Sequence, residues 1–518
     1  YSVVSWGFIP QPAVEPTSVF ARRMRFALDY VRFLDPRYAD VPKLRLRNVE
    51  RAPRIVRWLT SGIGGALAGH RIVGRLLRWI ERSTPPTAAA RSLLEAQTPD
   101  AVVLTSLTVS RSSAIEQLKA ARAFGIPVAA GIMSWDHLSS KALLHIAPDL
   151  TVVWNDVQKG EATGMHDLPA DSVVVTGAQC YDQWFDRRPS RSREEFCRGV
   201  GLDPGRPFVL YVCSTMSPVP DPIEPQFVKD WVLALRSSSD PVLRDAGVLV
   251  RPHPERVKEW AGISLAGLDN VVVHGATPID SDSKADYFDA LVFSRAVVGL
   301  CTSAFLEAAI VGRPVLTLLL PPYRMHQDGM AHFRYLLNVE GGLLHTAPDL
   351  TAHLGQLAEV LSAPEAREER NRRFLTAFIR PGGLDVPATP TFVETIERLA
   401  VTPRRSEREA TPSAVAAWCV RTLATAAATS PGQWLMMDGV DIARAQGERQ
   451  RDEVKERILD ARAAYQDHKT KARDEQLRAG EQERRAKSWA KWRRGLSARK
   501  QVAKLKGGLK QITGARHQ

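Results

Sequence analysis

Two α/β domains in series, each built on a parallel sheet and followed by a helical, basic C-terminal tail, are what this sequence predicts, from three observations. Short apolar runs alternate with helix-length amphipathic stretches from Pro99 to Leu399, the pattern of parallel strands joined by crossover helices. A length of 518 residues is too great for one core. The formal net charge of +13 is concentrated: from Ala443 onward there are 22 Lys and Arg against 10 Asp and Glu, so the body is nearly neutral.

Composition sets the outer limits. A hydrophobic fraction of 44% with 7% aromatic residues excludes a disordered chain. Five cysteines, Cys180, Cys197, Cys213, Cys301 and Cys419, are odd in number and lack metal or redox spacing, so they read as small core residues in a reducing cytoplasm. No metal site is expected. The most apolar windows, Ile63 to Ile80 and Ala414 to Ala428, are broken by His70, Arg71 and Arg75 and by Arg421, which argues against a membrane span. No signal peptide is visible, and the start at Tyr1 rather than Met leaves open what precedes it.

Residues 1–98 read as arginine-studded helices, Phe20 to Phe33 and Arg54 to Ile80, between Pro-rich breaks. Packing helices with solvated faces are the plain reading, and contact with a membrane or an anionic acceptor is the alternative. Residues 99–190 hold strands at Ala101–Thr105, Ile126–Gly131, Leu150–Trp154 and Ser172–Thr176, with helices at Ser112–Phe124 and Asp156–Met165. The polar stretch Asp186–Arg206 reads as a linker. Residues 207–400 form the second domain, with strands at Phe208–Cys213, Gly247–Arg251, Ala296–Leu300 and Pro314–Leu320. Its helices are Gln226–Leu235, Phe305–Val311, Leu350–Leu361, Pro364–Phe378 and Thr391–Leu399, the last expected to pack back on the first domain. Residues 401–483 read as a charged helical extension, and 484–518 as a basic amphipathic tail.

In parallel sheets sites gather at the carboxyl ends of strands, and five strand ends here carry chemistry. Ser134-Trp135-Asp136-His137-Leu138-Ser139-Ser140-Lys141 offers Asp136 as a general base, His137 as a second proton carrier and Lys141 as a cation. The competing role for Asp136 is to cap the following helix. Thr176 to Asp182 is a Gly turn leading to a second acid, Asp182. Ser214 sits in a hydroxyl-rich loop suited to phosphate, and Arg251-Pro252-His253-Pro254 holds a charge and an imidazole in a stiffened loop. In the fifth, Cys301-Thr302-Ser303 leads into a helix whose N–H groups and hydroxyls suit a phosphate. Glu307, the one acid of that helix, either faces solvent in the first turn or accepts bonds from ribose hydroxyls.

The stretch from Tyr287 to Leu320 resembles the donor-nucleotide loop of two-domain, double-Rossmann (GT-B) glycosyltransferases. It is similar also to loops of the non-hydrolysing UDP-GlcNAc 2-epimerases and CDP-glycerol glycerophosphotransferases. The segments Ser134–Lys141 and Thr176–Asp182 resemble the bacterial surface-polysaccharide branch, with His137 standing where that pattern has Asn. The resemblance implies two Rossmann-like domains facing a cleft, acceptor domain first and nucleotide-donor domain second. It implies Arg251, His253, Thr302 and Ser303 at the donor diphosphate and Glu307 at the ribose, beside Ser214, whose loop suits phosphate or the transferred group. At the place where such enzymes contact the donor sugar, Gln327 and His332 can bond hydroxyls without adding net charge.

The tail differs in kind. No acid follows Glu483, and Val502, Leu505, Leu509 and Ile512 share a helical face opposite Lys500, Lys504 and Lys510. With Trp489 and Trp492, this suits an anionic membrane surface, and nucleic acid is the rival partner. The combined expectation is a cytoplasmic enzyme, peripheral at the inner face of the membrane. It moves a sugar from a nucleotide-activated donor to a cell-surface glycan or lipid-linked precursor, with no cofactor beyond the donor. A CDP-alcohol phosphotransferase, a sugar-nucleotide 2-epimerase and a non-catalytic nucleotide-binding scaffold are the alternatives.

Overall fold

A computed structural model describes residues 15–39, 41–109, 112–215, 224–260, 262–275, 277–362, 368–402 and 412–439. The chain forms two compact units, Tyr1–Gly439 and Val440–Gln518. The second unit, with the basic tail and the charged stretch before it, lies outside the described residues.

Two all-parallel sheets organise the first unit. One is formed by β1 (Val102–Leu104), β2 (Val128–Gly131), β3 (Leu150–Val153) and β4 (Val173–Val175), in sequential order. The other holds β5 (Phe208–Val212), β6 (Gly247–Arg251), β7 (Val271–Val273), β8 (Ala296–Val298), β9 (Val315–Leu318) and β10 (His345–Ala347), in the order β10-β9-β8-β5-β6-β7. Strands β2, β5, β6, β8 and β9 are buried at every residue, the condition of central strands covered on both faces, which is why they read as largely apolar runs. The edge strands β7 and β10 escape the sequence reading. In the second sheet the chain lays β6 and β7 on one side of β5, then returns to lay β8 on the other. That reversal opens a crevice beyond the carboxyl ends of β5 and β8.

Two expectations are corrected. Within Asp186–Arg206, read as a linker, Arg193–Val200 is a helix with a Ser192–Glu195 capping box. Its Phe196, Cys197 and Val200 are buried in the second domain, and Phe196 stacks on Phe208 of β5 at 6.0 Å between centroids. Residues 412–439, read as part of a separate extension, belong to the N-terminal helical layer. Val420, Ala424 and Met436 share a core with Met24, Leu28, Val73 and Leu77, because an Ala-rich helix can approach closely. Buried charge also ties this layer to the first sheet's helices: Glu81 lies 2.8 Å from Lys119, and Arg25 lies 3.4 Å from Glu116. Opposite charges hold Glu81 down at about 2 against its burial.

The chain then returns from the second domain to the first. Ala178 N–H donates to Ile379 O at 2.8 Å, and helix Ala388–Ala400 brings Phe392 against Gly131 of β2. Gly177 is obligatory at this crossing: its φ is +92°, and a Cβ there would lie 2.8 Å from that of Ala388. Among the described residues no helix is long and apolar enough to cross a membrane.

Candidate functional site

The crevice of the second sheet is built by two loops tied to each other. After β5, Ser214 gives its N–H to Glu224 Oε2 at 2.8 Å and its hydroxyl to Oε1 at 3.2 Å, while its Oγ accepts from Cys301 N at 3.0 Å. The Ser214 hydroxyl is therefore committed to joining the loops after β5 and β8. This corrects its assignment to donor phosphate. Glu224 opens helix Glu224–Arg236 and accepts also from the Tyr211 hydroxyl. Burial pushes its carboxyl up to about 7. Thr302 Oγ1 accepts from Ala304 N at 3.3 Å and Ser303 Oγ from Trp135 Nε1 at 3.0 Å. Both hydroxyls accept, so each keeps its own proton to offer.

One turn into helix Ala304–Ile310, Glu307 accepts a hydrogen bond from the Tyr287 hydroxyl. It does not face open solvent: burial pushes its carboxyl up to about 7, against the pull of that single bond. Tyr181 and Cys180 of the first domain have pKa values raised chiefly by burial; Glu307 adds to this for Tyr181, and Asp182 and then Glu307 add to it for Cys180, which is pushed up to about 12. The helix that carries Glu307 packs near helix Asp182–Asp186, which follows the turn after β4.

The loop after β2 meets the same crevice. Asp136 accepts from Ser134 Oγ at 2.6 Å and Ser140 Oγ at 2.9 Å and pairs with Lys141 Nζ at 3.2 Å. Its side chain makes no capping bond to the short helix His137–Ser140. Burial works to raise its pKa, but Lys141, His332 and the two hydroxyls win and hold it well below the carboxylate range. His332, on helix Ala331–Asn338 of the second domain, packs edge-on against Trp135 at 4.8 Å between centroids. Beside it, the Tyr335 hydroxyl donates to Glu161 of helix Asp156–His166, a carboxyl pushed up to about 7 chiefly by burial. The ends of both sheets therefore meet through Trp135–Ser303, Trp135–His332 and Glu161–Tyr335, and the His332 imidazole acts on the Asp136 charge.

Other sequence candidates have structural duties. Asp182 accepts from Arg380 Nε and Nη2 at 3.1 and 2.7 Å, from Ala388 and Thr389 N–H at 3.0 and 2.7 Å, and from the Thr389 hydroxyl. With its lone pairs so filled, it is the clasp of the returning segment rather than a catalytic acid. Arg251 is buried, pairs with Asp286 at 2.8 Å and lies 5.1 Å from the Tyr287 ring centroid, so its charge serves the second domain's packing and not an exposed diphosphate. Gln327 is fully buried and donates to Leu300 O at 2.9 Å and Leu318 O at 2.8 Å, stapling the ends of β8 and β9 instead of reaching a sugar. His137 is partly buried with an unbonded Nδ1, and burial lowers its pKa. His253 Nδ1 accepts from Glu255 N at 3.2 Å, which puts the ring proton on Nε2 as a donor.

Sequence reasoning passed over Trp135, Tyr287, Glu161 and Tyr335 as site residues. Each is an aromatic or acid in an otherwise ordinary helical or strand-end context, and only its tertiary partner marks it out, across the interface for Trp135, Glu161 and Tyr335 and within the second domain for Tyr287.

No protein-family model matches the chain, and no curated protein sequence does. Among solved structures, the chain is similar to UDP-GlcNAc 2-epimerase from Neisseria meningitidis bound to UDP-GlcNAc, at 15% identity and TM-score 0.42, over 60% of this chain and 80% of that one. It is similar to a glycosyltransferase from Rickettsia africae, at 12% identity and TM-score 0.39, over 60% and 80%. The wall teichoic acid polymerase TagF is matched at 12% identity and TM-score 0.34, over 49% and 58%.

Proposed function

We propose that the chain is a transferase that binds a nucleotide-activated sugar in the crevice between the two sheets. The observation that carries this reading is Glu307. A carboxyl with one phenolic donor and, among the described residues, no counter-cation, at the topological switch point of a doubly wound sheet, is incomplete as a structural element and complete as a receiver of ribose hydroxyls. Thr302 and Ser303 supply hydroxyl donors for the diphosphate, joined by His253 Nε2–H. Across the crevice His332 takes the acceptor's proton, and Asp136, held ionised, stabilises the imidazolium that results. A permanently ionised Asp136 is a weak base by itself, because efficient proton transfer needs a pKa near the working pH.

The acceptor is a cell-surface glycan or lipid-linked precursor, met at the cytoplasmic face of the membrane with the basic tail as anchor. In the phosphotransferase alternative, His253 moves from diphosphate contact toward the reacting phosphorus. A thermal-shift screen over UDP, GDP and CDP tests the donor site. One nucleotide at about 100 times its dissociation constant should stabilise by roughly 2.7 kcal/mol. Glu307→Ala should abolish that gain while leaving the unliganded fold intact. Stabilisation by no nucleotide, or full retention by Glu307→Ala, sinks the reading and favours a scaffold.

A further inference from the structure

A second cavity, of about 310 Å³, lies outside the interdomain crevice, between helix Pro16–Arg32 and helix Gly62–Ser83. Five arginines line it: Arg32, Arg37, Arg71, Arg75 and Arg78. Two aspartates, Asp35 and Asp167, also line it, and Asp35 is already spent on Arg37 at 3.1 Å. Arg71, Arg75 and Arg78 have no acid partner among the described residues. Arg32 is only 9% exposed; its Nη2 donates to Lys141 O at 2.8 Å and its guanidinium lies over the Phe33 ring, with Asp29 and Glu161 acting on its charge, but its Nε and Nη1 are buried with no hydrogen-bond acceptor. A buried guanidinium with two unmet N–H groups is costly unless something anionic completes it.

The helix that supplies three of these arginines carries three stripes of identical spacing. Val73, Leu77 and Ile80 are buried in the core. One residue earlier each time, Ile72, Leu76 and Trp79 are 60%, 51% and 42% exposed. One earlier again are Arg71, Arg75 and Arg78. At about 100° per residue these stripes lie side by side, so the arginines stand between the cavity and an exposed apolar stripe. A surface with a cationic cup beside an apolar strip is complementary to one kind of molecule, an anionic head on an apolar chain.

We propose that this cavity binds the phosphoryl head of an anionic amphiphile whose chain lies along Ile72, Leu76 and Trp79. Guanidinium groups match phosphate oxygens in a bidentate fashion, and five of them around one cup exceed what two carboxylates neutralise. The cavity is joined to the crevice: Arg32 holds the carbonyl of Lys141, whose ammonium pairs with Asp136. An amphiphile held here therefore sits behind the loop assigned above to the acceptor side, although the inference stands on its own residues and not on the donor reading.

The test is calorimetry on the full chain with short-chain phosphatidate below its micelle concentration, with inorganic phosphate and short-chain phosphatidylcholine as comparators. Phosphatidate should bind at one site, and phosphatidylcholine at least tenfold more weakly. Arg75→Ala/Arg78→Ala should weaken phosphatidate and phosphate at least tenfold while leaving nucleotide binding unchanged, which separates this site from the donor crevice. Leu76→Ser/Trp79→Ser, exposed changes that spare the core, should weaken phosphatidate several-fold and leave phosphate unaffected. Wild-type affinity in the double arginine variant overturns the site. Equal binding of phosphate and phosphatidate, with Leu76→Ser/Trp79→Ser silent, overturns the amphiphile in favour of a free phosphate.

Discussion

Asp136 and Glu307 occupy equivalent stations, each just beyond the carboxyl end of a buried parallel strand and each facing the other domain, yet their surroundings drive them apart. Around Asp136 stand two hydroxyls, an ammonium and an imidazole, and the carboxylate is held ionised. Around Glu307 stand one phenol and apolar helix, and the carboxyl is pushed up to about 7. The difference lies in the count of donors against the depth of burial, not in the residue type. Where two acids in one site are split in this way, each is left with a different task.

The largest effect expected from breaking this contrast is on turnover. His332→Ala should lower turnover by roughly 10² or more with nucleotide affinity within a few-fold, the scale of a lost general base. Asp136→Asn should lower it comparably while flattening the acidic limb of the pH–rate profile. If His332→Ala keeps near-normal turnover, Asp136 itself or His137 becomes the proton carrier.

A second measurement separates the two acids by pH. Glu307, Glu224 and Glu161 each have a folded pKa of about 7, above the value of an unfolded glutamate. Their contribution to stability is therefore fully present below about 4.5 and is lost as pH rises through 7, on the order of 2 kcal/mol for each. Thermal stability of the unliganded chain should fall from pH 5 to pH 8, and Glu307→Gln should flatten part of that slope. Nucleotide affinity should move the opposite way, rising over the same window, because ribose hydroxyls bond best to the carboxylate. Asp136 is ionised throughout and adds no slope there. Parallel trends in stability and affinity would break the assignment of Glu307.

The smallest effect concerns the bridge between the stations. Trp135→Phe removes the indole donor to Ser303 while keeping the ring against His332, so it should change nucleotide affinity by only a few-fold. A loss of a hundredfold or more would mean that Trp135 itself touches the ligand.

Much of this architecture was legible because its central strands are covered on both faces. Phe208–Val212, residues 247–250 and Val315–Leu318 are apolar apart from Thr317, and such runs announce themselves between helical patterns. The strand-end loops were legible for the same reason, since polar residues that interrupt those runs have few other places to be. Asp136, His332, Thr302, Ser303 and Glu307 were all picked out and all lie where the sheets meet.

What sequence could not decide is which polar residue faces ligand and which faces protein. Asp182, Arg251, Gln327 and Ser214 have the chemistry of a site, and each is consumed by partners up to 207 positions away, as Asp182 is by Thr389. Spacing along a chain carries local geometry, the turn, the period and the cap. The sequence by itself therefore determined the two parallel sheets, their order along the chain and the stations where chemistry could stand. Only the tertiary structure decided the protonation of Asp136 and Glu307, the clasp at Asp182 and the arginine-lined cup at Arg32. Desolvation and hydrogen-bond supply are set by what folds back from elsewhere, and no local pattern records that.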